Sequence, residues 1–554
     1  MAPEVTLYYG TFVDLPRVKA GAKHELSIRQ GALWVASSTG RIEGCDWSIS
    51  SEEELPSLIQ RHGWSNVEVV KALEEQNEFF FPGFIDTHIH APQYPNSGLF
   101  GSSTLLGWLE TYTFPLESSM SSLSKAGNVY NTVISRTLAN GTTFASYFAT
   151  IHVPATNLLA VLAHKKGQRA LIGRVCMDNP DFCPEYYRDE DTASSMRKTE
   201  EVIRHIHKLD PAGNLVKPIV TPRFAPTCTA EALSSLGELA ARYDPPLHIQ
   251  THISENLNEV SLVRELFPSA MTPDYASVYD VHGLLTKRTI LAHAVHLSPS
   301  EQSLIASREA KISHCPASNS ALGSGLAPVR ALLDAGITVG LGTDVSGGYS
   351  PSILEATRQA CLVSRLLRHA VNPASSNEES TALGGPKSES GSEGEIDESG
   401  EEKKEKKKKE GWEVLSVEEA LYLATRGGAA VVDMAEDLGG FDVGMFWDVQ
   451  LIRLGRETSP GSDSKDGYNS VVDVFGWESW VEKVHKWVWT GDDRNVSKVW
   501  VGGVLVHELD GEDDGKKSAF TFGLGAWTSR DWVNLVVGYV GVAALGLVLG
   551  RRLK

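Results

Sequence analysis

The feature that most constrains the fold of this chain is a pattern that occurs eight times between residues 79 and 345. Each repeat has a short apolar run rich in β-branched or aromatic residues, then a polar loop, then a segment with the apolar spacing of a helix. Eight such units over about 290 residues predict an α/β fold of the (β/α)8 barrel type. The runs start at residues 79, 142, 169, 216, 247, 290, 311 and 338, and they read FFFPGFIDTHIHA, TTFASYFAT, RALIGRVCMD, VKPIVTPRF, LHIQTHISE, ILAHAVHL, KISHCPAS and TVGLGTDV.

The segments on either side of the repeats have a different pattern. Residues 1–80 and 437–510 contain strands punctuated by glycine, such as ELSIRQGALWVAS and KVWVGGVLV. One small β domain assembled from both flanks is the simplest interpretation. The sequence therefore predicts a catalytic barrel over 81–371, an end helix of the barrel within 411–436, and a β domain built from the two flanks.

Residues 372–410 interrupt this pattern with a segment that is unsuited to a core. They contain almost no large apolar residues and end in alternating blocks of Glu and Lys. Such a composition buries too little surface to offset the entropy of ordering the chain, so the sequence predicts a disordered insertion. A docking segment controlled by phosphorylation is the alternative that this composition leaves open.

A second interruption is the apolar run WVNLVVGYVGVAALGLVLG, from Trp532 to Gly550, which follows a linker over 511–531. As a helix it would span about 28 Å, close to the roughly 30 Å hydrocarbon core of a bilayer. It has no charged residue, and the RRLK that follows suits a membrane interface. The sequence predicts an anchor over 532–550 that holds the protein on the cytosolic side of an intracellular membrane. A buried helix docked on the body is the alternative.

Charge and cysteine content restrict the partners and the compartment. The formal net charge of −19 repels a phosphate backbone, which argues against a nucleic-acid binder. The six cysteines form no C-x-x-C pair, so they indicate reduced thiols and not a disulfide framework. The first residues, MAPEVTLYYG, lack the basic and apolar regions of a secretory signal. The expected location is therefore the cytoplasm.

The strongest local motif is HIH, in which His88 and His90 end the first run. Residues i and i+2 of a strand point to the same face, so both imidazoles can reach one metal ion. His252 ends the fifth run, His293 lies in the sixth, and Asp344 ends the eighth. Active sites of such barrels lie at the C-terminal ends of the strands, where these residues are expected to meet. Histidine and carboxylate ligands suit zinc, with a further position for water.

The same motifs resemble those of a known family. PGFIDTHIHA, THISE, LAHAVHLS and LGTDVS are similar to motifs of the amidohydrolase superfamily, in its mononuclear deaminase type. IDTHIHAPQYPNSG, LGWLETYTFP, FATIH and PRF resemble the guanine deaminase family within it. The resemblance covers residues 80–345 strongly and the flanks loosely, without the insertion or the apolar run. It implies hydrolysis of the exocyclic amino group of guanine, which gives xanthine and ammonia.

The resemblance also implies roles for the residues that surround the metal. Glu255, in HISE, would carry protons to the ring and to the leaving group. His293 would orient the water and the intermediate, and Asp344 would accept a proton from the attacking water, so these three residues are the expected catalytic groups. The resemblance implies one Zn²⁺ per subunit, with the ligands His88, His90, His252 and Asp344.

A second set of residues is implied to bind guanine. Gln93 matches an amide contact to the base, Arg223 matches a contact to O6 and N7, and Phe224 would pack on the ring. A structural ion pair is the alternative for Arg223. Trp108 is a further candidate, for which a place in the core is an equal alternative. The implied substrate contacts are His90, Ala91, Pro92, Gln93, Arg223, Phe224, His252, Glu255 and Asp344.

Other histidines near the ends of the runs have a different interpretation. Because additional ligands would overfill one metal site, these histidines are expected to support the ligands or to lie in the core. Cys315, in HCPAS, is expected to pack in the core and not to act as a nucleophile. The histidines in question are His152, His248, His296 and His314.

Two other functions stay open at this point. Another aminohydrolase of the superfamily would act on a related purine, a pterin or an s-triazine. A binuclear enzyme is disfavoured, since it needs a carboxylated lysine near the end of the fourth run, where Arg223 stands. A catalytically inactive, membrane-tethered scaffold would lack ligands, whereas every expected ligand is present. The resemblance also implies a homodimer whose small-molecule partners are guanine and water.

Overall fold

The computed structural model describes four segments of the chain, which are residues 3–18, 23–369, 411–458 and 470–509. The predicted insertion at 372–410, the linker at 511–531 and the predicted anchor at 532–550 lie outside the described residues. Within those four segments, no helix is both long enough and apolar enough to cross a membrane. All of the described residues belong to a single folded unit of the chain.

The strands of this unit form two sheets, one parallel and one mostly antiparallel. In chain order they are β1 (Val5–Asp14), β2 (Ser27–Ala36), β3 (Arg41–Asp46), β4 (Val67–Lys71), β5 (Glu78–Pro82), β6 (Phe84–His90), β7 (Thr142–Phe148), β8 (Arg169–Gly173), β9 (Val175–Cys176), β10 (Val216–Pro222), β11 (His248–Ile253), β12 (Thr289–His293), β13 (Lys311–His314), β14 (Val339–Leu341), β15 (Val449–Arg453), β16 (Val496–Val501) and β17 (Val504–Glu508). The two sheets correspond to the two patterns seen in the sequence.

The parallel sheet contains eight successive strands, which confirms the predicted (β/α)8 barrel. Its order is β14-β13-β12-β11-β10-β8-β7-β6, and the short β9 also pairs with β10. Asp344 N donates to His88 O at 2.8 Å and His90 N donates to Val345 O at 3.0 Å, so the segment after β14 lies against β6. The first and last strands of the barrel are thereby brought together.

Helices connect the barrel strands, and short polar side chains cap several of them. Asp191 accepts a hydrogen bond from Ser194 N, and Thr229 accepts one from Ala232 N. Such caps satisfy N–H groups that have no partner within the helix. In chain order the helices are α1 (Leu55–His62), α2 (Leu105–Trp108), α3 (Phe114–Ser118), α4 (Leu123–Ala139), α5 (Val153–Lys165), α6 (Thr192–Leu209), α7 (Ala230–Ala241), α8 (Leu257–Leu266), α9 (Tyr275–Val281), α10 (Pro299–Ser307), α11 (Pro316–Ala321), α12 (Val329–Asp334), α13 (Ile353–Leu366), α14 (Val417–Tyr422), α15 (Gly428–Val431) and α16 (Trp480–Thr490).

The second sheet combines strands from both flanks, as the sequence predicts. Its order is β17-β16-β15-β5-β1-β2-β3, with β4 also paired to β1. The flanks meet where β15 pairs antiparallel with β5. Buried aromatic rings fill one face of this sheet, and the ring of Tyr8 lies 4.0 Å from Trp447 and 5.6 Å from Phe80. The described parts of the two flanks therefore share one hydrophobic core.

The first predicted run is divided between the two sheets at Gly83. β5 pairs with β1 and β15, whereas β6 pairs with β7. A Cβ atom at Gly83 would lie 2.3 Å from side-chain atoms of Thr143, so a residue without a side chain is needed where the chain passes between the sheets. Gly83 N donates to Asp448 O at 2.9 Å. The barrel itself therefore begins at Phe84.

A buried ion pair joins the start of β8 to the flank sheet. Arg169 Nε lies 2.7 Å from Asp448 Oδ2, and its Nη2 lies 3.1 Å from Oδ1. The guanidinium carbon also lies 4.2 Å from the ring centre of Phe446. Because both charges are buried, removing either residue would leave a buried charge without its counter-ion.

Candidate active site

Four side chains from the C-terminal ends of barrel strands converge on one point. His88 lies on β6, His252 on β11 and His293 on β12, while Asp344 follows β14. Each offers one nitrogen or oxygen atom, and these atoms all lie within 4.8 Å of one another. His90 adjoins them, since its Nε2 lies 3.1 Å from His252 Nε2 and 3.4 Å from Asp344 Oδ1. The structure thus brings together all five residues that the sequence proposed around a metal.

The backbone is strained at two of these residues. His293 has φ 74° and Asp344 has φ 47°, in the left-handed region that side chains other than glycine rarely adopt. Each such residue costs on the order of 1–3 kcal/mol. The hydrogen bond from Ala294 N to Ile253 O, at 3.1 Å, holds the first of these positions. The bond from Asp344 N to His88 O holds the second.

The ring nitrogens of this cluster are arranged to coordinate a metal ion and not to form hydrogen bonds with one another. His252 Nδ1 lies 2.6 Å from Arg223 O, which assigns the ring hydrogen to Nδ1 and leaves a lone pair on Nε2. That Nε2 faces His90 Nε2. Among the described residues, the buried Nε2 atoms of His88 and His293 have no hydrogen-bond partner, although His88 Nε2 lies 3.2 Å from Asp344 Oδ1. A divalent cation would satisfy these atoms together, as zinc does with such ligands.

Burial and neighbouring charges together set the protonation of these residues. Burial lowers the pKa of His293, but the carboxylates of Glu255 and Asp344 outweigh it, so this pKa lies above the ordinary value. Burial lowers the pKa of His88, and burial together with neighbouring imidazoles lowers the pKa of His90 and His252 well below the ordinary value. Burial raises the pKa of Asp344, but close contact with His88 and the other imidazoles outweighs it, so the pKa lies below the ordinary value. Neutral imidazoles and an ionised carboxyl group are the species that coordinate a cation.

Glu255 lies beside the cluster, where it can exchange protons. Burial raises its pKa to about 7. Its Oε1 accepts a hydrogen bond from Ser324 Oγ at 3.0 Å, and its Oε2 lies 3.4 Å from His293 Nε2. His293 Nδ1 in turn lies 2.9 Å from Asn319 Oδ1. A carboxyl group with a pKa near neutrality can act as both acid and base at physiological pH.

Ser324 and Asn319 were not predicted from the sequence. Both follow β13, in the stretch PASNSALGSG, which contains several small polar residues with no distinguishing pattern. His296 supports the same corner of the site, since its Nε2 lies 2.7 Å from Ser324 O. The only signal in the sequence was their location after the seventh run, where barrel enzymes place functional loops.

A pocket lies beside the cluster. Gln93, Arg223 and Phe224 line it, as the sequence predicted for a substrate site, and so does Trp108. Ala91 and Pro92 are buried in the turn that carries Gln93 and are not part of the described pocket lining. The predicted contacts that also line the pocket are His90, His252, Glu255 and Asp344. A pocket lined by both apolar side chains and a few polar groups is typical of a site for a small ligand.

A buried carboxylate behind this wall, Glu117, was also missed. Arg223 Nη1 lies 2.6 Å from Glu117 Oε2, and its Nη2 lies 3.1 Å from Oε1. Gln93 Nε2 and Tyr187 Oη donate to the same carboxylate, each at 2.7 Å. The ion pair that the sequence left open for Arg223 is therefore present, in addition to its place in the pocket wall. Glu117 lies two residues after LGWLETYTFP, in an apolar context that hid its role.

The remaining histidines lie outside the cluster formed by the described residues. His152 Nε2 lies 3.0 Å from Ser118 O, which stabilises the end of α3. His248, at the start of β11, pairs with Asp433 at 2.8 Å, toward the opposite end of the barrel. His314 is buried, and neither of its ring nitrogens has a hydrogen-bond partner.

The chain is similar in sequence and fold to several known proteins. A model of the amidohydrolase family matches residues 79–383. The chain is 48% identical over 429 residues to the probable guanine deaminase of Schizosaccharomyces pombe, which covers 77% of this chain and 71% of that protein. It is 39% identical over 434 residues to the guanine deaminase of Homo sapiens, covering 78% and 83%. A crystal structure of guanine deaminase from C. acetobutylicum with bound guanine matches with a TM-score of 0.70 at 28% identity, covering 91% of this chain and 100% of that chain.

Proposed function

This chain belongs to the amidohydrolase family, and we propose that it is a guanine deaminase, which hydrolyses guanine to xanthine and ammonia. The observation that best supports the proposal is a single pocket lined by both catalytic and substrate-binding side chains. Metal-binding and proton-transferring side chains lie at one end, and the side-chain donors of Gln93 and Arg223 lie in the wall. A purine base needs both, because the carbon that bears its amino group must be attacked while the edge of the base is held.

The metal that suits this site is zinc, with one ion per chain. The ligands are neutral imidazoles and one carboxylate, a set that zinc binds in hydrolytic enzymes. When bound, zinc supplies hydroxide at neutral pH by lowering the pKa of water toward about 7. The residues that would hold it are His88, His90, His252 and Asp344, with His293 in the same cluster.

Asp344, Glu255 and His293 divide the proton transfers. Asp344 takes one proton from water as the water oxygen attacks C2 of guanine, and Glu255 gives a proton to N3. Glu255 then passes the remaining hydroxyl proton to the amino group. The C2–N bond breaks, ammonia leaves and the oxygen becomes a carbonyl. The proton on Asp344 restores Glu255, and His293 lies between them, 3.8 Å from Asp344 Oδ2 and 3.4 Å from Glu255 Oε2.

Arg223 and Gln93 would recognise the edge of the base. A guanidinium group has five N–H donors, and Glu117 occupies two of those of Arg223. The others are free to donate to acceptors such as O6 and N7 of guanine. Phe224 lines the same pocket and is buried, so its ring can pack on the base.

The test is a substrate comparison with the purified full-length protein. Guanine, adenine, a pterin and an s-triazine are each incubated with the protein, and absorbance and released ammonia are followed. We expect guanine to have the highest kcat/KM, with about one zinc per chain by metal analysis. A higher kcat/KM on one of the other compounds would overturn the substrate assignment. Full activity in folded, zinc-free protein would overturn the mechanism.

Two finer interpretations of the sequence stay predictions. The homodimer follows from the resemblance alone, and the membrane anchor concerns residues 532–550, outside the described segments. The cytoplasmic location is consistent with the composition, and neither prediction is needed for the chemistry of the site.

A further inference from the structure

We propose that Glu117 is a positioning residue that sets the substrate specificity of the pocket by fixing the orientation of Gln93 and Arg223. The inference rests on the proposed function and extends it, since it names the group that makes the site selective for a purine with an oxo group at C6. Glu117 is fully buried, and it stands behind the pocket wall instead of lining it. It therefore acts through its neighbours and not through contact with the substrate.

The Glu117 carboxylate already accepts as many hydrogen bonds as it can. An ionised carboxylate can only accept hydrogen bonds, and its two oxygens offer about four positions. Glu117 Oε1 accepts from Gln93 Nε2 and Arg223 Nη2, while Oε2 accepts from Arg223 Nη1 and Tyr187 Oη. All four positions are occupied by protein donors. Glu117 has no position left for substrate or for a transferable proton.

Glu117 and Ser346 determine the orientation of the Gln93 side-chain amide. Because Glu117 only accepts, the atom of Gln93 that faces it must be the nitrogen. On the other side, Ser346 N donates to Gln93 Oε1 at 3.3 Å. These two partners allow one orientation of the amide and exclude the flipped one. The second N–H of Gln93 is then available as a donor in the pocket.

Glu117 fixes the plane of the Arg223 guanidinium group and compensates its charge. Glu117 holds both terminal nitrogens of the guanidinium group, which fixes its plane. Arg223 and Glu117 form a buried ion pair, so their opposite charges compensate each other at the base-recognition wall. A neutral wall suits a neutral base. The remaining N–H groups of Arg223 can donate hydrogen bonds to an acceptor on C6 of the purine. An N–H donor at the same position would be repelled.

The hydrogen-bond donors to Glu117 come from separate connections of the barrel. Gln93 lies in the turn after β6, Arg223 follows β10, and Tyr187 lies in the loop that precedes α6. Glu117 itself lies on α3. Three separate connections of the barrel therefore depend on one carboxylate for their relative position at the pocket.

The experiment compares wild-type protein with Glu117→Gln, Glu117→Asp and Tyr187→Phe. The substrates are guanine and 2,6-diaminopurine, which carries the same amino group at C2 but a donor at C6. Glu117→Gln places an amide N–H₂ against donors, so we expect KM for guanine to rise and the preference for guanine to fall by about 10-fold or more. Zinc content should stay at one per chain, and kcat should change less than KM.

The two other variants separate positioning from folding. Glu117→Asp keeps the charge but moves it by one methylene group, and it should recover part of the preference for guanine. Tyr187→Phe removes one hydrogen bond to Glu117 Oε2 and leaves the bonds to Arg223 and Gln93, so it serves as the matched control with little change in preference. If Glu117→Gln does not fold, Glu117→Asp still gives a measurable preference.

Turnover and equilibrium binding of guanine by the wild-type protein are measured alongside. If guanine is neither bound nor hydrolysed by wild type, the proposed function and this inference both fail. If guanine is hydrolysed but the folded Glu117 variants keep the wild-type KM and preference, only the inference is overturned. An equal loss of kcat on both substrates, with unchanged KM, would also overturn it, because that pattern marks a general structural role.

Discussion

At the scale of single residues, the surroundings of Glu255 determine its chemistry. Burial raises its pKa to about 7, and Ser324 supplies a hydrogen bond that favours the ionised form. His293 Nε2 lies 3.4 Å from Glu255 Oε2 and 3.8 Å from Asp344 Oδ2, so a proton can return from Asp344 to Glu255. The same carboxyl group on an exposed surface would be ionised at neutral pH and would be a poor acid.

We predict that Glu255→Gln lowers kcat by about 100-fold or more, because an amide cannot cycle a proton. Zinc content should be unchanged, since Glu255 is not among the proposed ligands. Steady-state kinetics on guanine and metal analysis of the same sample check both parts. A kcat close to the wild-type value would show that another group transfers the protons.

Ser324→Ala provides a test of the environment that leaves the carboxyl group in place. The hydrogen bond from Ser324 lowers the pKa of Glu255, against the larger effect of burial. Removing that donor should raise the pKa of Glu255 further, so the pH dependence of kcat should move toward higher pH. The pH profile of wild type measured in parallel is the reference. A shift toward lower pH would contradict the assignment.

At the scale of elements, the site depends on how closely the strand ends approach one another. Gly342 joins β14 to Asp344, and its N–H donates to His314 O at 2.9 Å. An added Cβ would lie 2.6 Å from Ser313 Oγ and 2.9 Å from His88 Cβ. Both distances are shorter than van der Waals contact, so β6 and β13 would have to move apart.

We predict that Gly342→Ala lowers both the free energy of unfolding and the zinc affinity. Overpacking of this kind costs about 1–3 kcal/mol, and the displaced residue here is a proposed ligand. Thermal unfolding and competition with a chelator measure the two effects. Gly107→Ala is the matched control, because its added Cβ would meet only Thr104 Oγ1, at 3.4 Å. Equal behaviour of the two variants would contradict the packing argument.

At the scale of the whole molecule, the barrel and the flank sheet depend on the ion pair of Arg169 and Asp448. Asp448 Oδ1 also accepts a hydrogen bond from Gly502 N at 2.7 Å. Arg169 begins β8, so the pair lies toward the opposite end of the barrel from the metal-binding cluster. The flank sheet therefore contributes to stability from a position away from the chemistry.

We predict that Asp448→Ala lowers the free energy of unfolding by about 3–5 kcal/mol, because it leaves the buried Arg169 without its partner. Denaturant unfolding gives this value, and kcat on guanine should stay near wild type while the protein is folded. Asp280→Ala is the control. It breaks the more exposed pair with Arg308 and should lower the free energy of unfolding much less. Equal losses in the two variants would contradict the argument.

The apolar run from Trp532 to Gly550 leads to a prediction from sequence alone. An uncharged run of this length should keep the full-length protein with membranes through alkaline carbonate extraction. Truncation before Trp532 should release soluble protein with unchanged kcat, because every proposed site residue precedes it in the sequence. Full-length protein that is entirely soluble, or a truncated form that unfolds, would each contradict the anchor.

Local patterns in the sequence were enough to predict the barrel, the shared flank domain and the residues of the histidine and aspartate cluster. The alternation of a strand places His88 and His90 on one face whatever surrounds them. The end of each run marks the C-terminal edge where His252, His293 and Asp344 also lie. These properties depend on residues adjacent in the chain, so they can be read without a structure.

Only the tertiary structure showed which side chains hold the site in place. Glu117 is separated by 24, 70 and 106 residues from Gln93, Tyr187 and Arg223, and no local pattern relates such distant positions. The hydrogen bond from Ser324 to Glu255 likewise spans 69 residues. Periodicity determines which face of an element a residue occupies, whereas the contacts between elements arise from packing of the whole barrel, in which a buried carboxylate must find all of its donors.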